Sequence, residues 1–592
     1  LKYWILIAVI VLIRLPFLNQ AVTGDDVYYL ASAEHAQIDP LHPNHTTYVF
    51  QGKDVDFRGY PHPPLNAWVL AGLIAVFGDV KEIPFHCVYV LFSVMATSGM
   101  WVLAKRFSPE PFWATMLFIA VPMFVVNGNS FEADVPLTAF LLAGVAAFVT
   151  GVDRGSWRWL TLASLALGAA SLVAVQAVFV TPILLWYAWR DRGVARRPGG
   201  LPHHGWLAAL APVVVLAAWQ GFEYLSIGKF PILMTSGYVL SYGLAKLQAK
   251  LVNFEGLTVQ AAVLMWPLVF LRKTRGSQFL FWWIGLFFLG DLAMFSNGSA
   301  RYLLPIAAPV ALLISRLPVK WVRVLVAAQL TLALLMAGEN YQHWSGYRAF
   351  ARSLSKETKA RRTWVNAEWG LRWYMEALGA RPMHDQQRVP PGDMVVSSEL
   401  AYPVPYRRGG STLVPIASRE ITSSIPLRLI GLNSRAGYST ADRGLFPFGI
   451  SNGPIDRVRA DVLVEHHPTL EYLPMDAPEA DDQIVSGIYG REGTTPWRWT
   501  AGAATVALKV PSRPKPLHVE LFIPGASNVR VVKVLGDGKE IYERVFDKPG
   551  SYSIDTPPSQ AGNITLQFDK SFSIPSDHRE LGVILTGIGY RQ

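Results

Sequence analysis

The apolar residues of this 592-residue chain are not spread evenly. They gather in long runs from residue 1 to about 338, and the runs then stop. A run of roughly 20 mostly apolar residues is what a bilayer-spanning helix needs. Candidate spans start at Tyr3, Pro84, Phe112, Ala133, Trp157, Ala174, Gly205, Leu257, Phe279, Arg301 and Lys320. Several are short, which calls for tilted or partial spans. Trp4, Trp157, Trp159, Trp186, Trp189, Trp206 and Trp321 stand at run ends, where aromatic belts form. Charged residues make up only 16% of the chain, against about 25% in ordinary soluble proteins. A disordered chain and an ordinary cytosolic enzyme are thereby excluded. Cys87 is the one cysteine, so an intramolecular disulfide and Cys-rich metal centres are excluded as well. The net charge of +10 needs no nucleic-acid partner, because cytoplasmic loops of membrane proteins collect Lys and Arg.

Those positive clusters set an orientation. They are Arg190 with Arg192, Arg196 and Arg197; Lys105 with Arg106; Arg154 with Arg158; Arg272 with Lys273 and Arg275; and Arg316 with Lys320 and Arg323. All fall on the cytoplasmic side if Leu65–Phe77 does not cross but lies as a juxtamembrane or re-entrant helix. About 11 spans result, and the C-terminal half falls outside the cell. The first helix reads as an anchor rather than a cleaved leader, since no small-residue cleavage site follows it and Arg14 interrupts it. The expected fold class is a polytopic α-helical membrane protein. Its membrane part takes residues 1–338, with long outer loops at 19–83 and 226–256. A mixed α/β region is expected over 339–499, with a helix-like stretch from Arg348 to Ala380. A β-sandwich, jelly-roll-like, is expected over 500–592. Short alternating strands such as 517–523, 529–534 and 562–568 support it, separated by turn signals at Gly536-Asp537-Gly538, Pro549-Gly550 and Pro557-Pro558.

Ionisable groups at a membrane face are costly and so point to function. Four groups qualify. Asp25 and Asp26 follow the first span, with Tyr29 close behind; adjacent carboxylates suit a general base or a divalent cation, or else a solvated helix cap. His62, held between Pro61 and Pro63, can meet a phosphate or simply make a turn. Glu132 and Asp134 lie in a short outer loop, where acids also serve a helix N-terminus, Glu132 more so than Asp134. Arg301, with Tyr302 beside it, opens a late span and can bind an anionic phosphate or snorkel. Asp291 is the main mid-span acid. Asn44, Asn297 and Asn563 begin glycosylation-like triplets of a pattern short enough to arise by chance. No P-loop or His-Glu-x-x-His motif occurs, so an activated lipid-linked substrate would have to supply the energy of any reaction.

Taken in order, Asp25-Asp26 with Tyr29, His62-Pro-Pro-Leu65, Asp134 and Arg301-Tyr302-x-x-Pro305 resemble the pattern of the GT-C membrane glycosyltransferases. Within them the chain is similar to the branch holding protein O-mannosyltransferases and the lipid A aminoarabinose transferase (glycosyltransferase family 39-like). The segment 366–380 also looks like one that follows the membrane part in bacterial relatives. In the lipid A branch a Lys usually stands where this chain has His62. The resemblance implies a GT-C fold and a polyprenyl-phosphate-sugar donor. It implies an inverting transfer of a hexosyl or pentosyl group to a hydroxyl of protein, lipid or glycan. The enzyme would sit in the inner (plasma) membrane with its site on the periplasmic side. Asp25 and Asp26 would be catalytic. His62, Arg301, Tyr302, Tyr29, Glu132 and Asp134 would hold the donor's phosphate and sugar. A divalent metal at Asp25, Asp26 and Asp134 is left open. The alternatives are a transporter of a polar solute and a non-catalytic glycan-binding membrane protein.

Overall fold

The computed structural model describes all residues except 191–201, 235–243, 271–276, 296–297, 410, 441–442, 466–467, 528, 575–576 and 592. Arg192, Arg196, Arg197, Arg272, Lys273, Arg275 and Asn297 therefore lie outside the described residues.

The chain is an integral membrane protein in its N-terminal half. Among the described residues, four helices are long and apolar enough to cross a bilayer: Glu82–Phe107, Asp134–Arg154, Gly205–Ile227 and Val319–Ser353. Shorter apolar helices accompany them at Leu65–Phe77, Trp157–Val173, Gln278–Met294 and Ala300–Ile314. The helix Leu65–Phe77 spans about 20 Å at 1.5 Å per residue, short of a bilayer core. It packs beside the helix Asp26–His35 and stops at Gly78, whose φ of 76° only glycine takes without strain.

Three of the expected spans are not continuous helices, and at the first the cause is local. The run from Phe112 is cut where Pro111–Ile119 gives way to Pro122–Asn127, because Pro122 lacks an N–H and holds Val121 extended. The run from Ala174 starts in an extended residue and a 3-10 turn, Val175–Phe179, before the helix Val180–Arg190. The run from Leu257 is the tail of a helix that begins earlier, Leu244–Gln260. It then passes through 3-10 turns at Ala261–Leu264 and Trp266–Phe270, with Met265 between them at a φ of 54°.

The short helix after the first break is capped from a distance. The Arg14 guanidinium donates to the carbonyls of Phe124 and Val125, and Arg14 Nε donates to Ser93 Oγ at 3.2 Å. Gly128 makes this approach feasible, since a Cβ there would lie 1.9 Å from the guanidinium.

The C-terminal half is continuous with the membrane half. The helix Val319–Ser353 has 35 residues and runs through the expected boundary at 338 without a break. Its Gly338 and Gly346 face Ile425 and Ile421, which a Cβ would meet at 2.8 and 2.9 Å. The helix-like stretch from Arg348 to Ala380 is interrupted by the buried strand Thr363–Asn366, a β-branched and aromatic run that the sheet claims. That strand sits inside a five-stranded sheet, parallel to Arg381–Pro382 and Met394–Ser398, which continues antiparallel through Asp456–Glu465 to Ser411–Ile421. One core joins this sheet to the first long loop: Val27, Leu30 and Phe57 pack in the same cluster as Trp344, Leu371 and Val396.

The β-rich C-terminus begins earlier than residue 500. Tyr472–Pro474 pairs with Ile584–Tyr590, and Ile484–Ile488 pairs with Arg498–Ala507, so both belong to the nine-stranded sheet. Arg498–Ala507 bonds to both halves of that sheet, to Ile584–Tyr590 on one side and Asn563–Phe568 on the other. The turn at Asp537-Gly538 has φ of 46° and 82° and closes the hairpin Val531–Gly536 with Lys539–Val545. Pro557-Pro558 is not a turn. The strand Gly550–Ser559 runs through it, which an edge strand tolerates because the missing N–H faces away from a partner.

Candidate active site

Arg301 gathers the site. It lies in the 3-10 turn Ala300–Leu303 that leads into the helix Leu304–Ile314, and its side chain is 6% exposed. Nη2 pairs with Asp25 Oδ2 and Nη1 with Glu132 Oε1. Its Nε has no hydrogen-bond partner. A guanidinium with two edges on carboxylates and one N–H free is a preformed receiver for another anion. The guanidinium also stands 5.5 Å from the Tyr302 ring, which stacks on Phe295 at 3.9 Å.

The adjacent aspartates have separate roles. Asp25 is the residue before the helix Asp26–His35, and its side chain is 33% exposed, so it keeps a face toward water. Asp26 is fully buried. Thr23 N and Thr23 Oγ1 donate to its Oδ2 at 2.8 and 2.9 Å, and Phe131 N donates to its Oδ1 at 2.7 Å. Burial and the nearby Glu132 charge push the Asp26 carboxyl up, against those three donors. Asp26 thus clasps the two loops that carry Asp25 and Glu132. Both of its oxygens are taken up by these donors, whereas Asp25 keeps an exposed face.

Glu132 accepts from Asn127 Nδ2 at 3.1 Å, and Tyr438 of the C-terminal half donates to Asn127 Oδ1 at 2.5 Å. Tyr438 O in turn accepts from Ala300 N at 2.9 Å and Ser299 Oγ at 3.1 Å, immediately before Arg301. One loop of the C-terminal half therefore braces both partners of the buried ion pair. Glu132, the acid more readily read as a helix cap, is the one on Arg301. Asp134 opens the helix Asp134–Arg154, and its charge also acts on Arg301.

His62 stands apart from the ion pairs. Its Nε2 shares a hydrogen bond with Tyr29 Oη at 3.0 Å, and its ring packs against Tyr60 at 5.2 Å. Burial, with the Arg301 charge adding to it, lowers its pKa to about 4. A neutral imidazole can offer a phosphate a hydrogen bond but no charge. The charge falls to Arg301 alone.

At the expected cation position, two of the three acids already have partners. Asp26 spends both oxygens on backbone and Thr23 donors, and Asp25 is neutralised by Arg301. A dication beside that guanidinium would be repelled. The one grouping of three metal-ligand side chains among the described residues lies elsewhere, at Asp39, His42 and His45. Asn127, Thr23 and Tyr438 were not marked by the sequence. Asn127 and Thr23 stand within five residues of motif acids, whereas Tyr438 has no local signal at all.

Residues 61–219 match the family model described as dolichyl-phosphate-mannose-protein mannosyltransferase. The matched segment holds His62, Glu132 and Asp134, so the GT-C resemblance drawn from the motifs holds over it. Among curated proteins, lipid A galacturonosyltransferase RgtD of Rhizobium johnstonii is 26% identical over 137 residues, which is 23% of this chain and 29% of that protein. Among solved structures, ArnT from Cupriavidus metallidurans bound to undecaprenyl phosphate aligns with a TM-score of 0.45 at 14% identity, over 67% of this chain and 92% of that one. The archaeal oligosaccharyltransferase AglB from Archaeoglobus fulgidus aligns with a TM-score of 0.44 at 11% identity, over 100% of this chain and 97% of that one.

Proposed function

We propose that this chain is a membrane glycosyltransferase that moves a hexosyl or pentosyl group from a polyprenyl-phosphate donor to a hydroxyl acceptor on the extracytoplasmic face. The observation that carries the reading is the convergence of Asp25, Glu132 and Arg301, from three separate segments, into one ion-paired cluster with an unpartnered guanidinium N–H. The matched family model and the lipid A galacturonosyltransferase support the same class of chemistry.

The donor phosphate binds Arg301, whose Nε is free and whose Nη2 is shared with Asp25. An arriving phosphate competes with the Asp25 carboxylate for that guanidinium and releases a carboxylate oxygen toward the acceptor. Asp25 then takes the acceptor hydroxyl's proton as general base. The acceptor oxygen bonds to the anomeric carbon while the bond from that carbon to the phosphate oxygen breaks. The electron pair leaves with the polyprenyl phosphate, and Arg301 stabilises the growing charge. A single displacement of this kind inverts the anomeric centre. Glu132 stays on Arg301 throughout and fixes its direction. Tyr29 and His62 line the approach as neutral hydrogen-bonding groups.

The test is transfer by the purified chain in lipid, with polyprenyl-phosphate sugars offered one at a time. Asp25→Asn should fold and abolish transfer by on the order of 10²–10⁴-fold. Full turnover by that variant would refute the base assignment, and failure of every lipid-phosphate sugar with the native chain would refute the class.

A further inference from the structure

We infer that Tyr374 and Arg348, both from the C-terminal half, are positioning residues for Asp25: they pin the segment 19–22 that delivers its carboxylate to Arg301. This role rests on the reading of Asp25 as the general base of the proposed transfer.

Between the 3-10 turn Leu15–Phe17 and the helix Asp26–His35, residues 18–25 belong to no helix or strand. The place of Asp25 is therefore set by what grips the segment from outside. One grip is Asp26 on Thr23. The other comes from the C-terminal half. Arg348, near the end of the helix Val319–Ser353, donates from Nη1 to Asn19 Oδ1 and from Nη2 to Asn19 O, both at 3.1 Å. Tyr374, on the helix Trp369–Ala377, accepts at Oη from Val22 N at 2.9 Å. Glu82 couples the two, since its Oε1 accepts from Tyr374 Oη at 2.9 Å and from Arg348 Nη1 at 3.1 Å. A phenol has one proton to give. Given to Glu82, it leaves the Tyr374 lone pairs turned to Val22. Arg348 and Tyr374 are both buried.

The backbone is shaped for the same contact. Trp369 opens its helix at a φ of 63°, a left-handed value that a bulky residue keeps only where its ring is held. The Trp344 ring at 6.0 Å and the Tyr402 ring at 5.2 Å hold it. Gly370 then lies so close to the segment that a Cβ there would meet Val22 O at 2.3 Å. Beyond Val22 the chain turns at Gly24, with a φ of 21° and Glu132 beside it, and presents Asp25. So short a link passes a slip at Val22 on to the carboxylate, and a misplacement of about 1 Å costs a reacting group about 10²-fold. Arg301 has its own supports, Glu132 and the Tyr438 loop. Loosening the clamp should therefore spare the donor and slow the chemistry.

The test is transfer per folded chain, in lipid, with a polyprenyl-phosphate sugar that the native chain uses. Tyr374→Phe keeps the ring and removes the hydroxyl; kcat should fall about 10–100-fold, with the donor KM unchanged. Arg348→Lys keeps the charge beside Glu82 but gives up the planar pair of donors on Asn19, and it should show the same split. Neither should lower the residual rate of Asp25→Asn, which has no base left to position. A merely structural role would cost the same factor in both backgrounds. Native kcat in the folded variants, equal fractional losses with and without the Asp25 carboxylate, or a donor KM that rises as kcat falls would each overturn the inference. Full turnover by Asp25→Asn alone is a separate failure, which refutes the base and removes this role with it.

Discussion

Among the described residues, two arginines are buried in the membrane half, Arg14 and Arg301, and they are held in opposite ways. Arg14 makes no carboxylate contact among the described residues. It is satisfied by the Ser93 hydroxyl, the Phe124 and Val125 carbonyls and the face of the Phe124 ring. Arg301 is held by Asp25 and Glu132 and keeps its Nε unpartnered. A cation whose donors end on neutral carbonyls has no capacity left for a ligand; it caps the C-terminal end of the short helix Pro122–Asn127. A cation clamped by acids, one of them solvent-facing, can exchange that acid for a phosphate. Burial alone does not mark function in a membrane helix. The kind of partner does.

Removing each arginine sharpens the contrast. Arg301→Gln should reduce transfer by about 10²–10³-fold, the cost of losing one preorganised donor to developing charge. It should also destabilise the fold by about 3–5 kcal/mol, since Glu132 is left buried without its cation. Comparable transfer by the folded variant would remove Arg301 from the phosphate. Arg14→Leu should cost about 3 kcal/mol of thermal stability, because the freed carbonyls lose their donors. Transfer per folded molecule should stay native; a drop in kcat at full folding would give Arg14 a part in the site. The rim separates the two further. A His62 held to about 4, below its usual 6.5, contributes stability that is complete above pH 6.5 and is lost as pH falls toward 4, because the unfolded chain takes the proton first. His62→Gln should flatten that acid limb by about 1–3 kcal/mol in pH-dependent melting curves, and an unchanged limb would mean the imidazole titrates normally. The smallest effect is expected from Tyr438→Phe, about 1 kcal/mol of stability and a few-fold loss of transfer, through the Asn127–Glu132 brace. A null result in both readouts would detach the C-terminal loop from the site.

How much of this was legible in the sequence depended on range. Asp25, His62, Glu132, Asp134 and Arg301 stood out because a charge beside an apolar run is costly wherever the chain folds. Their pairing was less legible. Nothing in the sequence tells Asp25 from Asp26, because their difference arises from Thr23 and Phe131 turning their donors to one and not the other. The charge state of His62 follows from burial and from Arg301, 239 positions along the chain. The helix breaks at Pro122 and Ala174 were hidden by unbroken hydropathy, which counts side chains and ignores the backbone, such as the donor missing at Pro122 and the extended turn at Ala174. Pro557-Pro558 misled in the other direction, since its strand lies at a sheet edge that only the assembled topology defines.

The unbroken helix from Val319 to Ser353 is about 52 Å long at 1.5 Å per residue. It is rooted among the membrane helices, and its glycines are wedged against Ile425 and Ile421 at the other end. Such a rod has no elbow where lipid meets water. Spin labels placed on the bilayer helices and beside Ile421 should therefore report a single narrow separation, and a broad or bimodal distribution would show that the helix bends.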